Sequence, residues 1–107
     1  MKIGVASQNR RSVTAHAGRC RRYWVYDIDD GTAAPGELLE LDREDTLHAQ
    51  RPGIPPALAE LDVLIAEDLC DNLLRRLERH GIQGRVSDCD RPDDAVREFL
   101  AEREQPA

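Results

Sequence analysis

The segment from Asp62 to Asp88 constrains the fold more than any other. "DVLIAE" (Asp62–Glu67) is a short apolar run with the composition of a buried strand. Leu69, Leu73, Leu74 and Leu77 then recur at helical spacing, and Gly81 follows as a stop signal. "IQGRVSD" reads as a weaker strand after it. Strand, helix and strand in that order point to a parallel crossover, with the helix lying on the sheet.

The flanking sequence adds elements of both kinds. "KIGVAS" (Lys2–Ser7) alternates Ile3 and Val5 and reads as a buried strand, and "YWVYDI" (Tyr23–Ile28) is aromatic and β-branched, a strong strand signal. "DDGTAAPG" has turn chemistry, so "ELLELD" (Glu37–Asp42) can pair back as a third strand. "IPPALAEL" reads as a short helix with Pro55 and Pro56 in its first turn. The last helix begins near Pro92, with Ala95, Val96, Phe99 and Leu100 on one face. The predicted order is β-β-β-α-β-α-β-α, an α/β fold with a mixed five-stranded sheet flanked by helices. At 107 residues it fits a single domain, 1–107.

The opening residues lack the charged-then-apolar pattern of a signal peptide, and no apolar run approaches the about 18 residues of a membrane span. Cys20, Cys70 and Cys89 are odd in number, widely spaced and free of any CxxC, as expected for reduced thiols. A soluble, cytoplasmic protein with no membrane partner is expected. Each cysteine taken alone also suits a small buried apolar side chain.

Charge is unevenly spread. Of 15 basic and 21 acidic residues, six basic and no acidic ones precede Asp27, so the remainder holds nine against 21, a balance of −12. An acidic body argues against general nucleic-acid binding, while a basic opening segment allows an anionic ligand at one place.

Gln8–Arg22 reads as a long loop, and loops of that length are often functional. It carries His16, Cys20, Arg19, Arg21 and Arg22. Cys70 and Cys89 each follow a predicted strand. If those strands are parallel neighbours, all these groups meet at their carboxyl ends, where open α/β sheets bind ligands. Thiolate with imidazole favours zinc, copper(I) or iron–sulfur species, and guanidinium groups bind anions through forked bonds. A metal cluster of net negative charge would satisfy both features; a solvated arginine-rich loop is the plainer alternative. His48 reads as an exposed linker residue. His80 suits the end of a helix, and Asp27, Asp29 and Asp30 suit a turn. No phosphate loop or catalytic triad is visible.

"MKIGVAS…VTAHAGRCRRYWVYDID" resembles the opening of the dinitrogenase iron–molybdenum cofactor family, with its NifX-like and NafY-like carrier domains. "HAG" (His16–Gly18) stands where the family has "HFG", and "ALAELDVLIAEDLCDNLLRRLERHGIQGRV" and "RPDDAVREFLAE" resemble its later segments. The resemblance implies a ribonuclease H-like architecture. It also implies a role in binding or carrying the iron–molybdenum cofactor or a related iron–sulfur or molybdenum cluster, with the loop histidine, His16, as a contact. Two departures stand out. Ala17 replaces the family's phenylalanine, which would open the packing of the loop. "EDLCDN" (Glu67–Asn72) replaces a glycine-rich turn, putting Glu67 and Asp68 on the rim together with a thiol, Cys70.

The expected function is therefore non-catalytic carriage of a cluster during nitrogenase cofactor biosynthesis. His16 would ligate with Cys20 or Cys70 assisting, and Arg19, Arg21 and Arg22 would balance charge. Nitrogenase or cofactor-assembly proteins are the expected partners. An interaction module docking those proteins through acidic helices is the first alternative. A nuclease using Asp27 and Asp29 is a more remote one.

Overall fold

The computed structural model describes residues 1–104. In chain order these form β1 (Lys2–Ala6), β2 (Arg22–Asp29), β3 (Thr32–Ala33), β4 (Glu37–Glu40), β5 (Val63–Ala66), α1 (Asp71–Arg79), β6 (Gln83–Val86) and α2 (Pro92–Glu104). The sheet runs β3-β2-β1-β5-β6. β4 lies along the outer edge of β2 beside Arg22–Val25, and β3 lies beside Ile28–Asp29. β1 is antiparallel to β2 but parallel to β5, and β5 is parallel to β6. This is an α/β fold on a mixed sheet, as expected from the sequence.

Two details differ from expectation. Among the described residues there are six strands and two α-helices, not five and three, and the order is β-β-β-β-β-α-β-α. The extra strand, β3, forms inside the segment read as a turn, because the two-residue Asp30–Gly31 connection closes a hairpin at the end of the long β2. The helix expected at "IPPALAEL" is a single turn. Leu58 and Ala59 donate to the Pro55 carbonyl at 2.9 and 3.0 Å. The chain must then straighten, since the Asp62 amide already bonds the Lys2 carbonyl at 2.8 Å on its way into β5.

Alternating side chains divide the sheet into two cores. On one face Ile3, Val5, Tyr26, Val63 and Ile65 meet Ala95, Val96 and Phe99 of α2. On the other, Ala6, Tyr23, Leu64 and Ala66 meet Leu77 of α1 and Leu41, Leu47, Leu58 and Leu61 of the 41–61 connection. That connection thus substitutes for a helix as the cover of half a sheet face. α1 approaches β6 closely over Gly84, where a Cβ would stand 2.5 Å from Leu74 Cδ2. It ends at Gly81, whose φ of +75° permits Ile82 and Gly81 to donate to the Leu77 and Glu78 carbonyls. Among the described residues no helix is long and apolar enough to cross a membrane.

The cores also set a pH limit. Burial pushes the Cys20 thiol above its ordinary value. Burial, and secondarily the neighbouring Cys20, pushes the Tyr23 phenol up. Tyr26 is raised by burial and by its bond to Asp93. Each group keeps its proton longer folded than unfolded, so the unfolded chain binds fewer protons and stability falls as pH rises. Under reducing conditions the unfolding free energy from urea titration should hold steady to about pH 8.5, the unfolded thiol value, and decline beyond it by up to ~1.4 kcal/mol per pH unit for Cys20 alone, with the midpoint falling in step. A midpoint unchanged from pH 8 to 10 would contradict this placement of Cys20.

Candidate functional site

The loop between β1 and β2 is built in two tied halves. Asn9 Oδ1 accepts from the Arg11 and Ser12 amides at 2.9 Å, closing an excursion from Gln8 to Val13. The Thr14 amide then bonds back to the Ala6 carbonyl at 2.7 Å. From there the chain runs alongside the extension of β5. The Glu67 and Asp68 amides donate to the Thr14 and Ala15 carbonyls at 2.9 and 3.1 Å, and His16 pairs with Asp68 as a parallel bridge. The first loop is thereby fixed against the second at the carboxyl ends of β1 and β5.

His16 opens a short 3-10 turn, Ala17–Arg19. Three contacts hold that turn. The Tyr23 hydroxyl, from inside the core, donates to the Ala17 carbonyl at 3.0 Å. The His48 amide donates to the Gly18 carbonyl at 2.7 Å, and the Cys20 amide to the Ala17 carbonyl at 3.1 Å. The Ala17 methyl is 1% exposed and joins the core cluster that includes Leu47 and Tyr23, so the loop is not loosened by the missing phenylalanine.

His16 stays exposed on one side of a groove of about 1150 Å³. Asp68 and Cys70 line the groove from the turn after β5, and α1 supplies Asn72, Arg75, Arg76, Glu78 and Arg79. His48 and Arg51 enter from the 41–61 connection, and Arg19 from the first loop. Cys70 is exposed at the residue preceding α1 and makes no capping hydrogen bond with its side chain. Both groups are open to a ligand from solvent.

Of the residues singled out from sequence, the groove brings together His16, Arg19 and Cys70. Cys20 faces the other way: it is 2% exposed, its thiol donates to the Arg22 carbonyl at 2.9 Å, and burial favours its protonated form. Its side chain thus packs in the core and does not line the groove with His16. Arg21 donates to the Leu41 carbonyl at 3.0 Å, and Arg22 to the Gln8 carbonyl at 2.9 Å while lying 3.7 Å from Glu40. Both are occupied along the edge of β2 and do not line the groove. Cys89 packs against the opposite core, its thiol 3.2 Å from the Glu98 carboxylate. With Asp88 these two groups lie within 4.8 Å of one another, on the side of the sheet covered by α2. Asp27, Asp29 and Asp30 sit at the hairpin end of β2, away from the groove.

His48, Arg51, Arg75, Arg76 and Arg79 are groove residues that the sequence reading did not select. Part of the pattern was visible: Asn72, Arg75, Arg76 and Arg79 fall on one helical stripe, opposite Leu73, Leu74 and Leu77. Nothing local tells which stripe faces a groove. His48 Nε2 lies 3.5 Å from Arg19 Nη2, and the charges of Arg51 and Arg19 lower its pKa. These charges favour the neutral imidazole, whose Nε2 can then accept from the Arg19 guanidinium.

The family model for the dinitrogenase iron–molybdenum cofactor matches residues 1–102, nearly the whole chain. The chain belongs to the dinitrogenase iron–molybdenum cofactor family. Membership ties this family domain to the biosynthesis or carriage of the nitrogenase cofactor. No curated protein matches it. Solved structures with the same fold include PH0822, at a TM-score of 0.76 and 16% identity over 95% of this chain and 92% of that one. MJ0327 of Methanocaldococcus jannaschii aligns at 0.71 and 12% identity, over 95% and 89%. TM1290 of Thermotoga, described as a member of the DUF35 family, aligns at 0.64 and 18% identity, over 95% and 89%. At these identities the likeness concerns the fold.

Proposed function

We propose that this family domain is a non-catalytic, cytoplasmic carrier that holds an iron–molybdenum or iron–sulfur cluster, or a precursor of one, in the groove at the carboxyl ends of β1 and β5. The single residue range 1–107 would act as one domain of ribonuclease H-like architecture, receiving the cluster from and delivering it to cofactor-assembly proteins or nitrogenase. The observation that carries the reading is the meeting of an exposed imidazole, His16, and an exposed thiol, Cys70, in one arginine-walled groove. Thiolate and imidazole suit iron and its sulfur clusters, and the guanidinium wall suits an anionic cargo. Few, exposed ligands also suit a cargo that must leave again, unlike a closed four-cysteine cage.

The test is anaerobic mixing of the metal-free protein with isolated cofactor, followed by gel filtration. Iron, molybdenum and the visible absorbance of the cluster are expected to co-elute with the protein. Elution of protein free of metal, with its fold intact, would reject the carrier reading in favour of a module that only docks assembly proteins.

A further inference from the structure

Ion pairing is uneven across the fold. Lys2–Glu60, Arg22–Glu40, Arg85–Glu102 and Arg97–Asp94 are paired. Arg19, Arg51, Arg75, Arg76 and Arg79 all line the groove, and among the described residues none has a carboxylate within ion-pair distance. Asp68 and Glu78 also line the groove, but neither closes an ion pair with these arginines, so the five cations outnumber the two carboxylates there. Arg76 is the most demanding of them. It is 8% exposed, its Nη2 donates to the Leu47 carbonyl at 2.6 Å, and its buried Nε has no partner. Burial first, and then the like charges of Arg51 and Arg79, disfavour its charged form, with Cys70 and Tyr23 acting the other way. Arg75 and Arg79 stand one turn apart on α1, and Arg76 and Arg79 three residues apart, so each pair repels. A buried guanidinium with an unpartnered Nε and like charges beside it is costly unless an anion shares the site.

We propose that the α1 wall of the groove is an oxyanion subsite, in which Arg76, with Arg75, Arg79 and Arg51 around it, binds a compact, multiply charged oxyanion group without any metal being present. The group is either a tetrahedral oxyanion or a polycarboxylate; forked guanidinium bonds serve both. The subsite deepens the carrier reading by giving an anionic cargo, or an anion bound beside it, a foothold distinct from His16 and Cys70. It rests on that reading only for what delivers the anion.

The experiment titrates metal-free, reduced full-length protein with inorganic phosphate, sulfate or citrate against sodium chloride at equal ionic strength. Heat of binding and the amide shifts of Gly18 and Asn72 are followed. Saturable one-to-one binding with a Kd at or below about 1 mM is expected for at least one anion. Preference for phosphate and sulfate, or for citrate, identifies the class of group. The exposed-face double variant R75Q/R79Q should keep its fold and weaken binding about tenfold or more. R76K keeps the charge without the planar fork and should weaken it as well, with thermal unfolding run as a check on the fold. Responses no larger than those to chloride, or unchanged affinity in R75Q/R79Q, would overturn the subsite. Cluster loading without oxyanion binding removes the subsite alone, and oxyanion binding without cluster loading removes the carrier reading alone.

Discussion

His16→Ala is expected to lower cluster retention by at least about tenfold while leaving the fold unchanged. Loss of partners that merely orient a metal ligand already costs 10–100-fold, so loss of a ligand should cost no less. His16 is well suited to a clean test. It is exposed, and its side chain caps nothing at the start of the 3-10 turn. Its removal should therefore change stability by no more than about 0.5 kcal/mol. Cys70→Ser should weaken retention in the same direction, because the thiol shares the groove. Cys20→Ala should leave retention intact and lower stability instead, since Cys20 is a core residue. Metal content after anaerobic desalting and the unfolding midpoint are measured on all three variants. Retention in His16→Ala equal to that of the unmodified protein would reject the histidine as a ligand.

Phe99→Ala should have the largest effect on folding, with a loss of about 3–5 kcal/mol. Phe99 is 3% exposed at the centre of the core between α2 and the sheet. It is the chain's only phenylalanine, in a sequence with 4% aromatic residues, so little else can fill the space. Arg85 and Arg103 also stand over its ring, at 5.4 and 5.9 Å from the centroid. Each such contact adds roughly 0.5–1 kcal/mol at an exposed site. Domains of this size have total stabilities of about 5–15 kcal/mol, so the variant should lose a large share of its margin. Thermal unfolding should show a drop of about 4–8 °C per kcal/mol, and Phe99→Leu should recover most of it. A drop under about 5 °C for alanine would mean the α2 core is less tightly packed than described.

The elements that were legible in the sequence are those whose stability is local or follows from one repeating pattern. Ile3 and Val5 alternate on one sheet face, and Val63 and Ile65 lie beside them on the same face. The leucines of α1 and the Ala95, Val96 and Phe99 stripe of α2 have helical spacing, and Gly81 ends α1 as its position suggested. The "IPPALAEL" segment misled because its apolar spacing fits a helix, whereas Leu58 and Leu61 are buried by a turn that drapes across the sheet. The extra strand β3 was hidden for the converse reason. Two residues, Thr32 and Ala33, carry no pattern, and they become a strand only because β2 is long enough to pair with them.

The candidate site divides along the same line. His16 could be selected from sequence because it lies within a recognisable stretch, and Cys70 because it follows an apolar strand. Cys20 looked equally placed four residues after His16, but the backbone turns between them and sends one side chain to solvent and the other into the core. The arginines show the same limit. By itself the sequence determined the alternation of the strands, the two amphipathic helices and a basic loop carrying one histidine. Only the tertiary structure decided that Arg19, Arg51, Arg75, Arg76 and Arg79, from three separate segments, share one groove with His16 and Cys70. Charge acts through space rather than along the chain, so its grouping follows from how the 41–61 connection and α1 pack on the sheet.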